Sequence, residues 1–183
     1  MELRSEIRKE TNLFHKLAEE ATQTYAPLNT KEGYLRFLSG MLEVYQNFGP
    51  ALDTSSQLIG IEPRSKKVID ALFKDLEKDE REVTKESSTL ASNKPEVSLG
   101  IAYTLEGSAL GAKIIRQRLD DSEMKNMPKN YLLLLESQSP SRWPKTLSAL
   151  GELESGHETT IETAKDVFKF VAKAMENSRN DKK

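Results

Sequence analysis

Residues 31–52 carry Tyr34, Phe37, Leu38, Met41, Leu42, Tyr45 and Phe48 at steps of three and four. A helix of 3.6 residues per turn returns such positions to one side, whereas a strand would divide them between two faces. That broad apolar face must be buried against further elements of the same kind. The pattern recurs at residues 64–90, with Val68, Leu72, Phe73, Leu76 and Val83, and again near the C-terminus with Ile161, Ala164, Phe168, Val171 and Met175. No segment alternates apolar and polar residues in the manner of a half-buried strand. Proline punctuates the chain at Ala26–Pro27, Glu62–Pro63, Lys94–Pro95, Met127–Pro128 and Ser139–Pro140. It lacks the helical N–H and drives its predecessor toward extended backbone, so each pair predicts a helix boundary. Asn29, followed by Glu32, predicts the start of a helix as a capping box. The expected fold is all-α, a bundle of seven or eight helices.

A chain of 183 residues with 37% hydrophobic content can bury one core of ordinary size. We expect a single helical domain over residues 1–176 and a polar tail, NSRNDKK, over 177–183. Although 31% of residues are charged, the formal net charge is −2, which leaves no global basic field to attract nucleic acid. Cysteine is absent, and with it disulfides, zinc–thiolate clusters and thiol nucleophiles, so histidine and carboxylates are the candidate metal ligands. The opening MELRSEIRKE alternates charges, and no later stretch approaches the roughly 20 apolar residues of a membrane span. A cytoplasmic protein without a membrane partner is the expectation.

The chain has two histidines. His15 falls in TNLFHKLAEEA, where Arg4, Arg8, His15 and Glu19 share a helix face at offsets of four and seven. A neutral imidazole there could bind iron or zinc while Glu19, one turn on, holds its other N–H. The same four residues also suit an ordinary polar helix surface. Arg8 stands two turns from His15, roughly 10 Å along the axis, a reach suited to an anionic group at the edge of a large ligand. His157, in LESGHETT, is the rival ligand and should lie exposed near a helix N-terminus.

A second stretch, LGIAYTLEGSALGAKII at residues 99–115, concentrates Gly107, Ser108, Ala109, Gly111 and Ala112 in six positions. A glycine inside a helix costs ~1 kcal/mol relative to alanine, so a close approach to the backbone must compensate. Either a flat, bulky ligand lies there or a neighbouring helix packs tightly on the Gly107–Gly111 face. Combined with His15, the stretch suggests a planar metal ligand held between two helices, a geometry that haem fits better than a bare ion.

In LRSEIRKETNLFHKLAEE, YTLEGSALGAKII and SRWPKTLSAL, spread in order over about residues 3–175, the chain resembles the biliverdin-producing haem oxygenases. It is most similar to the short bacterial members often found beside bacterial phytochromes. The resemblance implies oxygen-dependent cleavage of haem b to biliverdin, carbon monoxide and free iron. Haem is then both substrate and cofactor, and electrons come from an external ferredoxin, flavodoxin or reductase. A bacterial phytochrome is the implied biliverdin acceptor. The resemblance implies that His15 is the iron ligand, that Glu19 contacts it, and that Gly107, Ser108 and Gly111 steer oxygen from a distal helix. Ala112 stands where many members have a second glycine, and Ser108 near the place of an aspartate in animal enzymes. The methyl group of Ala112 is expected to narrow the pocket. Arg8, Tyr103, Lys165 and Lys169 are candidates for the propionates, although the lysine stripe, which continues to Lys173, also suits a solvated helix face. No flavin or nicotinamide fingerprint is present, so neither is expected as a tightly bound cofactor. A haem-binding carrier or sensor without turnover is the alternative reading.

Overall fold

The computed structural model describes residues 3–26, 28–77 and 94–178. The described chain forms α1 (Leu3–Tyr25), α2 (Lys31–Leu58), α3 (Ser65–Leu76), α4 (Pro95–Ala109), α5 (Ala112–Asp120), α6 (Asn130–Glu152) and α7 (His157–Asn177). No strand occurs among these residues. None of the helices is long and apolar enough to cross a membrane.

The apolar stripe of α2 is the spine of the molecule. All seven residues from Tyr34 to Phe48 that define it are buried. They form the main core with Val68 and Leu72 of α3, Ile101 and Leu105 of α4, and Tyr131 and Leu135 of α6. At ~1.5–3 kcal/mol per buried large apolar side chain, this one face contributes on the order of 10–20 kcal/mol, an upper figure because the unfolded chain is not fully extended. A smaller cluster joins Leu3 and Ile7 of α1 to Leu99, Leu150, Ile161 and Ala164.

Helix α7 lies between α1 and α4, which scarcely touch each other. All three run parallel. Lys165 Nζ stands 3.5 Å from Glu10 Oε2, and Phe168 meets His15. On the other side, Thr104 Oγ1 donates to the Ala164 carbonyl at 3.3 Å. Gly100 makes that approach possible, since a Cβ there would lie 2.6 Å from the Thr160 carbonyl oxygen and 2.8 Å from Thr163 Cβ.

Several boundaries depart from the sequence expectations. The cap of α2 is Thr30, one residue after Asn29, and its hydroxyl accepts from the Gly33 N–H at 3.0 Å. Helix α3 ends at Leu76, where Glu77 adopts left-handed backbone with φ 54°, and Val83 lies outside the described residues. Ser139–Pro140 is not a boundary. Helix α6 runs through both Pro140 and Pro144, as α2 runs through Pro50. Proline forfeits one ladder bond, but α6 is held along its length by α3, α4 and α5. That packing outweighs the local preference. The expected tail begins inside structure, because α7 reaches Asn177 and the Ser178 hydroxyl donates to Met175.

Candidate functional site

Parallel packing sets the level of the two stretches singled out above. His15 packs edge-on against Phe168, with ring centroids 5.4 Å apart. Four residues beyond the Thr104–Ala164 contact, Ser108 comes level with the same Phe168. His15 on α1 and Ser108 on α4 therefore stand at about the same level along α7. At this level α4 parts from its neighbour: Ser108 is exposed, and a Cβ at Gly111 would meet only the Ser108 carbonyl, at 3.3 Å. The space bounded by His15 and Phe168 and by the Ser108–Gly111 turn is the candidate slot.

The side chain of His15 is 49% exposed, and its Nδ1 stands 3.6 Å from Glu19 Oε1, beyond hydrogen-bond distance. Its Nε2 makes no hydrogen bond within the described protein. His157 differs in this respect, because its Nε2–H donates to the Leu153 carbonyl at 2.7 Å. That nitrogen is engaged in fixing the start of α7, and the ring is partly buried, not exposed.

The small-residue stretch is not one continuous helix. Helix α4 ends at Ala109 and α5 begins at Ala112, with Gly111 capping the second, so only Gly107 carries the cost of an interior glycine. The face of Gly107 is occupied by protein: a Cβ there would come within 3.3 Å of the Trp143 ring of α6. Helix packing thus accounts for Gly107, whereas the open surface at Gly111 has no such explanation. Leu110 and Ile114, beside Gly111, are 45% and 55% exposed. The Ser108 hydroxyl donates to the Thr104 carbonyl at 2.7 Å, which leaves it as an acceptor on the outer side. The methyl of Ala112 points into the main core and does not narrow the slot as expected, because the chain turns at Leu110–Gly111.

The candidate propionate partners divide. Tyr103 packs against Trp143, centroids 5.7 Å apart, on the slot side of α4. Arg8 is exposed on α1. Lys165 and Lys169 lie over Phe14, at 6.0 and 5.2 Å from its ring centre. Phe14 and His15 flank opposite edges of the α1–α7 seam, about 100° apart around α1, so the lysines stand away from the imidazole. Lys165 also pairs with Glu162 at 2.8 Å and Glu10 at 3.5 Å, which raises its pKa. Lys169 pairs with Asp166 and lines a cleft of about 410 Å³ with Phe14, Leu17 and Ala172. The structure does not bring these lysines to the slot.

Behind the slot lies a group of charges that sequence reasoning missed. Glu106 is buried between two arginines, with Oε1 accepting from Arg142 Nε at 2.9 Å and Oε2 standing 2.8 Å from Arg64 Nη2. Arg142 also donates to Ser56 Oγ and to the Glu62 carbonyl, tying α4 to α2, α6 and the loop before α3. Burial pulls the Arg142 guanidinium below its ordinary range, and Glu106 opposes that shift. Arg64 approaches Glu106 off the N–H direction, and its three side-chain nitrogens find no hydrogen-bond partner in the protein. Nearby, burial pushes the Tyr45 hydroxyl above the ordinary phenol value and the Tyr131 hydroxyl well above it. The sequence signal was a glutamate inside the apolar run of α4 and an arginine inside SRWP.

Among solved structures, a haem oxygenase from Leptospira interrogans superposes on 97% of this chain and 100% of its own, with a TM-score of 0.65 and 16% sequence identity. This is the haem oxygenase fold. No protein-family model matches the sequence, and no curated protein matches it. Within the haem oxygenase fold, the residues at the slot suit a haem. Nε2 of His15 is unengaged, Phe168 offers an aromatic edge, and Gly111 leaves the opposite wall open. Among the described residues no cluster of three or more His, Asp or Glu side chains could hold a bare ion. A single imidazole is adequate where a porphyrin supplies the remaining nitrogens.

Proposed function

We propose that this protein is a biliverdin-producing haem oxygenase that binds haem in the slot, with His15 Nε2 on the iron. The observation that carries this reading is the placement of His15 level with the Ser108–Gly111 turn across α7. The fold shared with the Leptospira enzyme supports it. Bound haem supplies the oxygen chemistry when reduced by an external donor such as a ferredoxin, flavodoxin or reductase. The protein's part is orientation. His15 would hold the iron as a neutral ligand, which does not favour O–O cleavage as a thiolate does, and Glu19 is near enough to accept a hydrogen bond from the Nδ1–H after a small rotamer change. The Gly111 backbone would leave room for a small ligand beside the bound group, and Ser108 Oγ could accept a hydrogen bond from water there. Biliverdin released in the cytoplasm would be available to a bacterial phytochrome.

Titration with haem should give a sharp Soret band that saturates at one equivalent, and reductant with oxygen should convert it to biliverdin and carbon monoxide. His15→Ala should lose the histidine-ligated spectrum and His157→Ala should keep it. The reverse result would overturn the assignment. Stable haem binding without any product under reducing conditions would instead support a carrier or sensor built on the same fold.

A further inference from the structure

Trp143 is the only tryptophan in the chain, and it packs on α4 at Gly107, four residues before Gly111. Its ring covers Gly107 and packs, tilted by 46°, against Tyr103 one turn earlier on α4. Gly107 and Gly111 lie on either side of the break between α4 and α5, and the first is covered while the second is open. A flat ligand can therefore lie against the Gly111 turn but cannot slide back along α4 past the indole. The indole is itself well braced. Its neighbour Arg142 is held by the Glu106 carboxylate, Ser56 Oγ and the Glu62 carbonyl, and Thr146 Oγ1 donates to the Arg142 carbonyl. These contacts fix the backbone of α6 at this point even though Pro140 and Pro144 each remove a helical hydrogen bond around it.

We propose that Trp143 is a specificity-determining residue, an aromatic stop that sets the in-plane seat of a planar tetrapyrrole in the slot and so selects which ring edge faces the Gly111 turn. The proposal rests on the haem-binding reading above and adds to it the choice of ring edge. A ligand on the rotation axis cannot tell the four pyrrole edges apart. An off-axis wall can distinguish them through the unequal substituents on the rim. Tyr103 supports the indole from behind and presents its hydroxyl near the same edge.

One indole N–H gives one cross-peak in a proton–nitrogen correlation spectrum, so contact can be read without turnover. Adding one equivalent of zinc protoporphyrin, which is diamagnetic, to the full-length protein should move that peak downfield by ring current, because a proton beyond the rim in the ring plane is deshielded. In the ferric cyanide complex with haem, Trp143→Ala should change the pattern of haem-methyl shifts, which reports rotation of the ring about the iron–histidine axis. Trp143→Phe, which preserves an aromatic side chain should the alanine variant fail to fold, should change the pattern in the same direction and less. The ratio of biliverdin isomers should follow the methyl pattern. An unmoved indole peak at porphyrin saturation overturns the proposal and leaves haem binding intact, as does an unchanged methyl pattern in folded variants. Failure of the wild-type protein to bind either porphyrin overturns this proposal and the proposed function together.

Discussion

His15 and Glu19 sit one turn apart with a gap of 3.6 Å, slightly too long for a hydrogen bond. Both side chains are about half exposed, so the pair contributes little to stability in water. Its value would arise when the imidazole is held on iron, because a carboxylate at Nδ1 fixes the ring plane and increases its donor strength. Glu19→Gln should leave haem bound, change the iron–histidine stretching frequency in the ferrous state, and slow turnover by roughly 10-fold or more, in the range found for partners of metal-bound histidines. An unchanged frequency with normal turnover would leave Glu19 as helix surface. Gly111 gives the complementary prediction. A Cβ there meets only the Ser108 carbonyl, at 3.3 Å, so Gly111→Leu should fold with a slightly lowered melting temperature yet obstruct the slot, seen as lost oxygen affinity. Equal oxygen affinity would remove Gly111 from the ligand wall.

Helix α4 shows what sequence periodicity can and cannot convey. Its apolar residues announced a buried helix, and LEGSALG announced a site. The turn at Leu110–Gly111 was hidden, since Ala109, Leu110 and Ala112 are all good helix formers and only the third dimension makes the chain bend there. Pro140 misled in the opposite sense, because the packing of α6 on three neighbours exceeds the loss of one ladder bond. The α2 stripe was legible in full because seven large apolar residues leave one burial solution. Trp143 and the buried charges were not, since a partner three helices away leaves no periodic trace. The sharpest element-scale prediction concerns the α4–α7 seam. Gly100→Ala places a methyl 2.6 Å from the Thr160 carbonyl, backbone that cannot rotate aside. It should cost about 1–3 kcal/mol by overpacking, read as an earlier urea midpoint with little change in slope. An unaltered midpoint would mean that the seam is looser than described.

Across the whole molecule, the Arg64–Glu106–Arg142 group joins four parts of the chain and couples the back of the slot to the core. Removing the central carboxylate leaves two buried cations together. Glu106→Leu should therefore destabilise the protein by about 3–5 kcal/mol, a loss of roughly 10 °C in melting temperature for a chain of this size. Exchanging all three residues for apolar ones of similar volume should be milder than that single change, because no unpaired charge remains. Additive losses would contradict the coupling. Alkaline pH should act through the buried phenols. Burial raises the pKa values of Tyr34, Tyr45 and Tyr131 above the ordinary 10.0, so the folded state binds their protons more tightly than the unfolded state does. The resulting stability is complete below pH 10 and is lost as pH rises from there toward the raised folded values. Phenolate absorbance from these three residues should appear together with the loss of helical circular dichroism; earlier ionisation in a still-folded protein would refute it.

The central position of α7 has a mechanical consequence. His15 and the Ser108–Gly111 turn do not touch each other, and each takes its place by leaning on α7 from its own side. The opening between them is therefore set by two helix spacings, each roughly 8–10 Å between axes, and tolerances in both seams reach it. A substitution that lifts α1 by a few tenths of an ångström and another that lifts α4 by as much would each alter the aperture from a distance, and together would alter it by both amounts. Calipers behave in this way, with the jaws set by the beam that carries them.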